Sequence, residues 1–196
     1  AAIAAKQQEY ETAGPRVYLV DNPVTEISST QLRRLLAFHC ASPFLQPTVA
    51  QYIREEGLYS TAADWKQLPM EQLEKVVVSL LKPDRVAHVL GCRDAASELA
   101  VRWGANVEDA QRAALLHDIT KALGSTLQLQ LCRHYNANLC EFSVQNPKTL
   151  HALTGSLVAE RVFGENPQVV AAICSHTTGK ANMSVLEKII YVADYM

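Results

Sequence analysis

The sequence predicts a mainly all-α protein, a helical bundle over residues 61–196 preceded by a small strand-plus-helices segment over residues 1–60. Three observations lead there. Apolar residues recur at three- and four-residue spacing through most of the later chain. Ser, Asn or Pro stands before those runs and glycine stands after several of them. From about residue 62 onward no stretch reads convincingly as a strand.

Taken in order, an Ala/Gln-rich start is broken by Gly14-Pro15, and Arg16-Val17-Tyr18-Leu19-Val20 is β-rich enough for one strand. Such a strand needs a partner sheet that this chain does not contain. Ser28 or Ser29 caps a helix carrying Leu32, Leu35 and Leu36, and Pro47 opens another that Gly57 ends. Asp64 is expected to cap a helix and Pro69 to open the next, over EQLEKVVVSLL. Pro83 introduces a long helix with Val86, Val89, Leu90, Leu99 and Trp103 on one side, ended by Gly104.

Asn106 caps VEDAQRAALLHDITK, whose Glu108 and Asp109 suit the positive end of the helix dipole. TLQLQL alternates like a strand, but Leu127, Leu131 and Tyr135 keep helical spacing and Ser125 with Gln128 makes a capping box, so it is read as helix. Asn146-Pro147 starts KTLHALTGSLVAERVF, stopped by Gly164. Asn166-Pro167 starts QVVAAICSH, and Ser184 with Glu187 boxes the start of VLEKIIYVADYM.

Bulk composition narrows the function. The chain has 196 residues, 48% hydrophobic, with a net charge of −2 and a pI near 6.3. That suffices for one good core, or one core plus a partial second domain. Lys and Arg are scattered, and nothing suggests a nucleic-acid stripe or a polybasic membrane patch. No apolar run approaches the roughly 18–20 residues of a membrane span. The start AAIAAKQQEY does not read as a signal peptide. Cys40, Cys92, Cys132, Cys140 and Cys174 form no CxxC pair and read as reduced thiols, so a cytoplasmic location is expected.

The histidines and two aspartates carry the chemistry. A lone helical histidine is usually a core or surface residue, and His39 and His134 fit that description. His88, His117, His151 and His176 instead lie on apolar faces of four separate helices, where an unpartnered imidazole is costly. Asp118 directly follows His117 inside AALLHDI, and Asp194 sits in IIYVADY, both poor places for a carboxylate without a cation. Convergence on metal removes all six costs together. Four imidazoles and two carboxylates, with no thiolate, suit iron, manganese, cobalt or nickel better than structural zinc. Six ligands exceed what one ion with an open position needs, so two divalent metal ions are expected, with Asp118 as bridge and catalytic centre. Lys121 and Arg85, one turn from His117 and His88, are expected to contact phosphate and assist catalysis. Thr177, Thr178 and Gly179 would grip phosphate or ribose, although Gly179 also fits a plain helix C-cap.

The order Arg85-x-x-His88, His117-Asp118-x-x-Lys121, His151, His176-Thr177-Thr178-Gly179 and Asp194 resembles the HD phosphohydrolase superfamily. With HTTG and the terminal VADY it resembles the bacterial YqeK family of symmetrical diadenosine tetraphosphate hydrolases over roughly residues 64–196, with the domain's last positions cut short at Met196. The resemblance implies an HD-domain helical bundle, a di-iron centre and hydrolysis of diadenosine tetraphosphate to two ADP. The expected partner is a small-molecule dinucleoside polyphosphate or ADP, with no nucleic acid and no membrane; a homodimer is left open.

The strand, NPVTEISSTQLRRLL and PTVAQYIREEGLY together resemble the C-terminal end of bacterial nicotinate-nucleotide adenylyltransferase, over about residues 16–59. That resemblance implies a remnant ATP-phosphate site at Ser28, Ser29, Thr30 and Arg33, within an incomplete remnant of an α/β nucleotidyltransferase. A plain Ser N-cap explains the same residues. The chain has no HxGH motif, so the segment alone should be inactive, as a fragment of a fusion or a degraded first half would be. Three other readings stay open: an HD phosphohydrolase of another nucleotide, a non-catalytic nucleotide sensor, and a bifunctional adenylyltransferase of NAD biosynthesis with an accessory HD domain.

Overall fold

The computed structural model describes residues 26–139 and 141–196, and among them there are helices and turns but no strand. The strand expected at residues 16–20 lies outside the described residues. Two helices open the described chain, α1 (Ser29–Ala37) and α2 (Pro47–Glu55). Ser28 caps α1 in a reciprocal box with Gln31, and Pro47 occupies the first turn of α2, as their types dictate.

The bundle follows as α3 (Met70–Leu80), α4 (Pro83–Trp103), α5 (Val107–Leu116), α6 (Ser125–His134), the short α7 (Glu141–Gln145), α8 (Leu150–Arg161), α9 (Pro167–Ser175) and α10 (Val185–Ala193). Asn106, Asn166 and Ser184 cap α5, α9 and α10 with their side chains.

Several expectations need correcting. Asp64 caps no helix; its carboxylate accepts from the Lys66 amide within a turn, and Pro69 sits one residue ahead of α3. Trp103 is 63% exposed rather than core, because α4 buries Val89, Cys92, Ala96 and Ala100 instead. The helix begun at Val107 stops at Leu116, and residues 117–122 form successive turns. Asp118 and Lys121 therefore lie outside regular helix. The Ser125–Gln128 box is absent: Gly124 is the N-cap of α6, and the Gln128 side chain turns inward to the Leu123 carbonyl. Pro147–Thr149 is a turn of 3-10 helix that leads into α8.

One continuous core runs from α1 to α10. Leu35 and Phe38 of the first segment are fully buried in the same cluster as Leu73, Leu115, Ile119, Ile173 and Ile190. Arg34 donates to the Leu80 and Leu81 carbonyls at the end of α3, and the Tyr135 hydroxyl donates to the Phe38 carbonyl. A buried ion pair that sequence pattern alone does not reveal lies at another edge of the bundle. Arg112 holds Glu165 through two bonds of 2.7 and 2.8 Å and donates to the Leu68 carbonyl. It ties α5, the α9 entry and the α3 approach into one corner.

Candidate metal centre

The ends of five elements converge on Asp118. His88 lies in the second turn of α4, His117 caps the end of α5, and His151 lies in the first turn of α8. His176 and Asp194 cap the ends of α9 and α10. Helix ends can place ligands this way because the side chain projects where the backbone ladder stops.

The six residues fall into two groups. In the first, His88 Nε2 is 3.0 Å and His117 Nε2 3.2 Å from Asp194 Oδ1, and the two imidazole nitrogens are 3.3 Å apart. Asp118 Oδ2 lies 3.6 Å from His117 Nε2. In the second, His151 and His176 bring their Nε2 atoms to 3.2 Å, with Asp118 Oδ1 at 3.5 and 4.0 Å. Within each group the potential ligand atoms lie within 4.8 Å of one another. Asp118 belongs to both, one oxygen to each.

Three hydrogen bonds decide which ring nitrogens face inward. His117, His151 and His176 each place Nδ1 2.6–2.7 Å from a carbonyl three residues earlier, of Ala114, Lys148 and Ile173. Donation there leaves Nε2 as a lone pair directed into the cluster. Facing lone pairs at this spacing repel unless a proton or cation lies between them. Burial argues against the proton. It holds the His176 imidazole down at about 4. His88 and His151 are also lowered, first by burial.

The carboxylates point the same way. Burial opposes ionisation of Asp118, but the bond from Arg85 and the charge of Lys121 help to outweigh it and keep the group below the usual carboxylate range. Asp194 is likewise held low against burial. Asp118 Oδ1 is buried without a hydrogen-bond donor, an expensive condition that a cation would relieve. Donor type, tautomer and the orphaned oxygen all fit a divalent metal.

Arg85 and Lys121 reach the cluster as expected. Arg85 Nη2 pairs with Asp118 Oδ2, and Lys121 Nζ is 3.1 Å from the same atom. Both line a cavity of about 120 Å³ with Leu81, Lys82, Asp84, Asp118 and Ala122. The Thr177 hydroxyl lies 3.3 Å from His176 Nε2, while Thr178 bonds to the Gly179 carbonyl instead. Gly179 has φ +62° and donates to the Ser175 carbonyl, as a helix stop does.

Ser28, Ser29, Thr30 and Arg33 are not brought to this centre. Ser28 lines a separate hollow of about 970 Å³ with Gln31, Gly124 and Ser125, and its hydroxyl accepts from the Gln31 amide. Arg33 lies over the Tyr59 ring at 5.5 Å. The larger hollow holds none of the histidines; chemistry rather than volume marks the centre. Sequence reasoning missed Thr120 and Thr154, whose hydroxyls meet at 2.8 Å beneath the cluster. A single threonine gives no signal until the turn carrying Thr120 is packed on the helix carrying Thr154.

Residues 85–196 match the HD domain family, and this span contains every histidine and aspartate of the cluster. The chain belongs to the HD domain family. Its HD hydrolase domain is similar to that of a symmetrical bis(5'-nucleosyl)-tetraphosphatase of Bacillus subtilis, 34% identical over 129 residues, covering 64% of this chain and 68% of that protein. A Mycoplasma pneumoniae protein named probable nicotinate-nucleotide adenylyltransferase/Ap4A hydrolase is 28% identical over 147 residues, 74% of this chain but 38% of the relative. A crystal structure of a protein described as a predicted HD superfamily hydrolase involved in NAD metabolism, from Clostridium acetobutylicum, superposes with a TM-score of 0.62 at 36% identity. That match covers 65% of this chain and 68% of the other. HD domains bind divalent metals, and the two clusters here offer the ligands for it. Among the described residues no helix is long and apolar enough to cross a membrane.

Proposed function

We propose that this chain hydrolyses diadenosine tetraphosphate symmetrically to two ADP at a two-ion centre. The observation that carries the reading is Asp118, shared by two ligand groups with one oxygen toward each. The first group would be His88, His117, Asp118 and Asp194, and the second Asp118, His151 and His176. Iron is the leading metal, with manganese, cobalt and nickel compatible with the same donors.

Two bound divalent ions would supply an acidified water and draw charge from the attacked phosphoryl group. The protein's own side chains do the rest. Carbonyl bonds at Nδ1 of His117, His151 and His176 hold the three rings with Nε2 inward. Lys121 is 38% exposed at its side chain and sits at the cavity rim, where an ammonium can meet charge on the departing ADP oxygen. Arg85 keeps Nη2 on Asp118, and its partly exposed side chain lines the cavity, where the guanidinium can meet a phosphate oxygen. Thr177, Thr178 and Gly179 would line the far side and meet phosphate or ribose. Water attacks one inner phosphorus, the bridging oxygen leaves with the other half, and two ADP result.

The support for this substrate is the similarity to the Bacillus subtilis tetraphosphatase. The test is product analysis with purified, metal-loaded protein. ADP as the only nucleotide product is expected; AMP with ATP would overturn symmetric cleavage. In the same assay Asp118→Ala should lose turnover by about a thousand-fold or more, as loss of several kcal/mol of charge stabilisation requires. Its helical circular dichroism should remain, with less bound metal.

A second reading concerns the wider protein. Similarity to the two-part Mycoplasma pneumoniae protein supports residues 1–60 as the end of an adenylyltransferase-like unit, with Ser28, Ser29, Thr30 and Arg33 as its phosphate cradle, and residues 61–196 as the HD domain. The scattered thiols favour the cytoplasm.

A further inference from the structure

The separation of the two ligand groups depends on how the turn after α5 meets α8. That turn, residues 117–122, carries Asp118 and Lys121, and its backbone bonds span three residues: Ile119 to Leu116, Lys121 to Asp118, and beyond it Leu123 to Thr120. It lacks the four-residue ladder that fixes a helical side chain. Three contacts beneath it take over that task.

Thr120 and Thr154 are both fully buried. The Thr120 hydroxyl lies 3.1 Å from the carbonyl of His151 and 2.8 Å from the Thr154 hydroxyl, which itself donates to the Leu150 carbonyl at 2.9 Å. On the same side of α8, Gly155 faces the end of α5. A Cβ there would stand 3.1 Å from the His117 carbonyl oxygen and 3.5 Å from Ile173. Gln128 closes the other end of the turn on the Leu123 carbonyl.

We propose that Thr120 is a positioning residue that, with Thr154 and Gly155, sets the spacing between the two ligand groups and holds Asp118 between them. The proposal rests on the two-ion reading. Its geometry is asymmetric. Thr120 is two residues from the shared carboxylate and reaches the backbone of His151, a member of the second group. His88 lies on α4, and His117 and Asp194 cap the ends of α5 and α10; the bonds of these three side chains do not reach α8, although Gly155 of α8 backs the His117 carbonyl. Loss of the Thr120 hydroxyl, which bonds to the His151 carbonyl, therefore disturbs the His151–His176 group more than the other.

The experiment is calorimetric titration of Mn2+ into chelator-stripped wild type, Thr120→Val, Thr120→Ser and Gly155→Ala, with Tm and steady-state kinetics beside it. Wild type should take two equivalents. Thr120→Val should keep one site within about twofold and weaken the other by roughly 10–100-fold, the usual effect of removing support behind a ligand. Its kcat should fall with KM little changed. Thr120→Ser, which keeps the hydroxyl, should restore both sites, whereas Gly155→Ala, whose Cβ would press on the carbonyl of His117 in the first group, should weaken both. Unchanged affinities in Thr120→Val would overturn the positioning role. So would equal weakening of both sites that serine fails to restore, the mark of a merely structural residue. A single equivalent in wild type would overturn the two-ion reading and this proposal together. Two equivalents without dinucleotide hydrolysis would overturn only the substrate.

Discussion

At the residue scale, the proposed centre separates residues that hold from residues that act. Asp118 gathers Arg85, Lys121 and four imidazoles within 4.0 Å. Lys121 is the more accessible of the two cations and bonds to no other group than Asp118 among the described residues. Replacing it should therefore leave the ligands in place. Lys121→Met is expected to lower kcat by about 100–1,000-fold, the usual cost of one transition-state donor, while elemental analysis finds the wild-type metal content. A fall in metal content equal to the fall in rate would assign Lys121 to assembly of the site instead. The histidines were legible as inward residues because each interrupts an apolar face. Their protonated nitrogen was not, since the carbonyl that takes Nδ1–H is defined only once the helix end has folded.

At the scale of elements, caps and breakers in the sequence located most helices. Asn106, Asn166 and Ser184 start helices through side-chain bonds to the first-turn amides. Asn166 does more, since its amide also donates to Asp109 of α5 at 2.8 Å. Asn166→Ala should cost about 1–2 kcal/mol in urea unfolding, at the upper end of the range for a cap, with metal binding retained because His176 is at the opposite end of α9. A loss under about half a kcal/mol, below the usual cap range, would mean that the tie to α5 contributes nothing. Where local signals failed, a tertiary contact had overridden them. Ser125 and Gln128 fit a capping box, yet the buried carbonyl of Leu123 takes the Gln128 amide. The apolar spacing of AALLHDITK suits a continuous helix, yet the chain leaves it at Leu116 and presents Asp118 to both ligand groups.

At the scale of the molecule, burial of charge governs both stability and its dependence on pH. Arg112 and Glu165 are each 8% exposed and lie 53 residues apart in sequence. Arg112→Ala strands a buried carboxylate and should cost about 3–5 kcal/mol, read as a lower urea midpoint with an unchanged slope. The metal-free protein should also lose stability on acidification. His176 titrates at about 4 when folded, against 6.5 for an exposed imidazole. Between those values the unfolded chain binds a proton that the folded chain refuses, so stability falls as pH drops through that window. From about pH 7.5 to about pH 5 the loss from His176 alone is about 2 kcal/mol. Chelator-treated protein unfolded in urea at the two pH values measures it; equal stability would mean that the folded imidazole takes the proton.

The sequence by itself determined the helical class, most helix starts, and the six residues whose polar side chains had no reason to sit on apolar faces. Those are properties of local spacing and of the cost of burial, which composition and order contain. Only the tertiary structure decided which of the six stand together in each of the two groups around Asp118. His88 and Asp194 meet across 106 positions and His151 and His176 across 25, and no local rule encodes such pairings. The inward-facing nitrogens, the Arg112–Glu165 lock and the Thr120–Thr154 contact belong to the same class. Each is a bond between elements, and it acquires a geometry only when the core shared from α1 to α10 has set the distance between them.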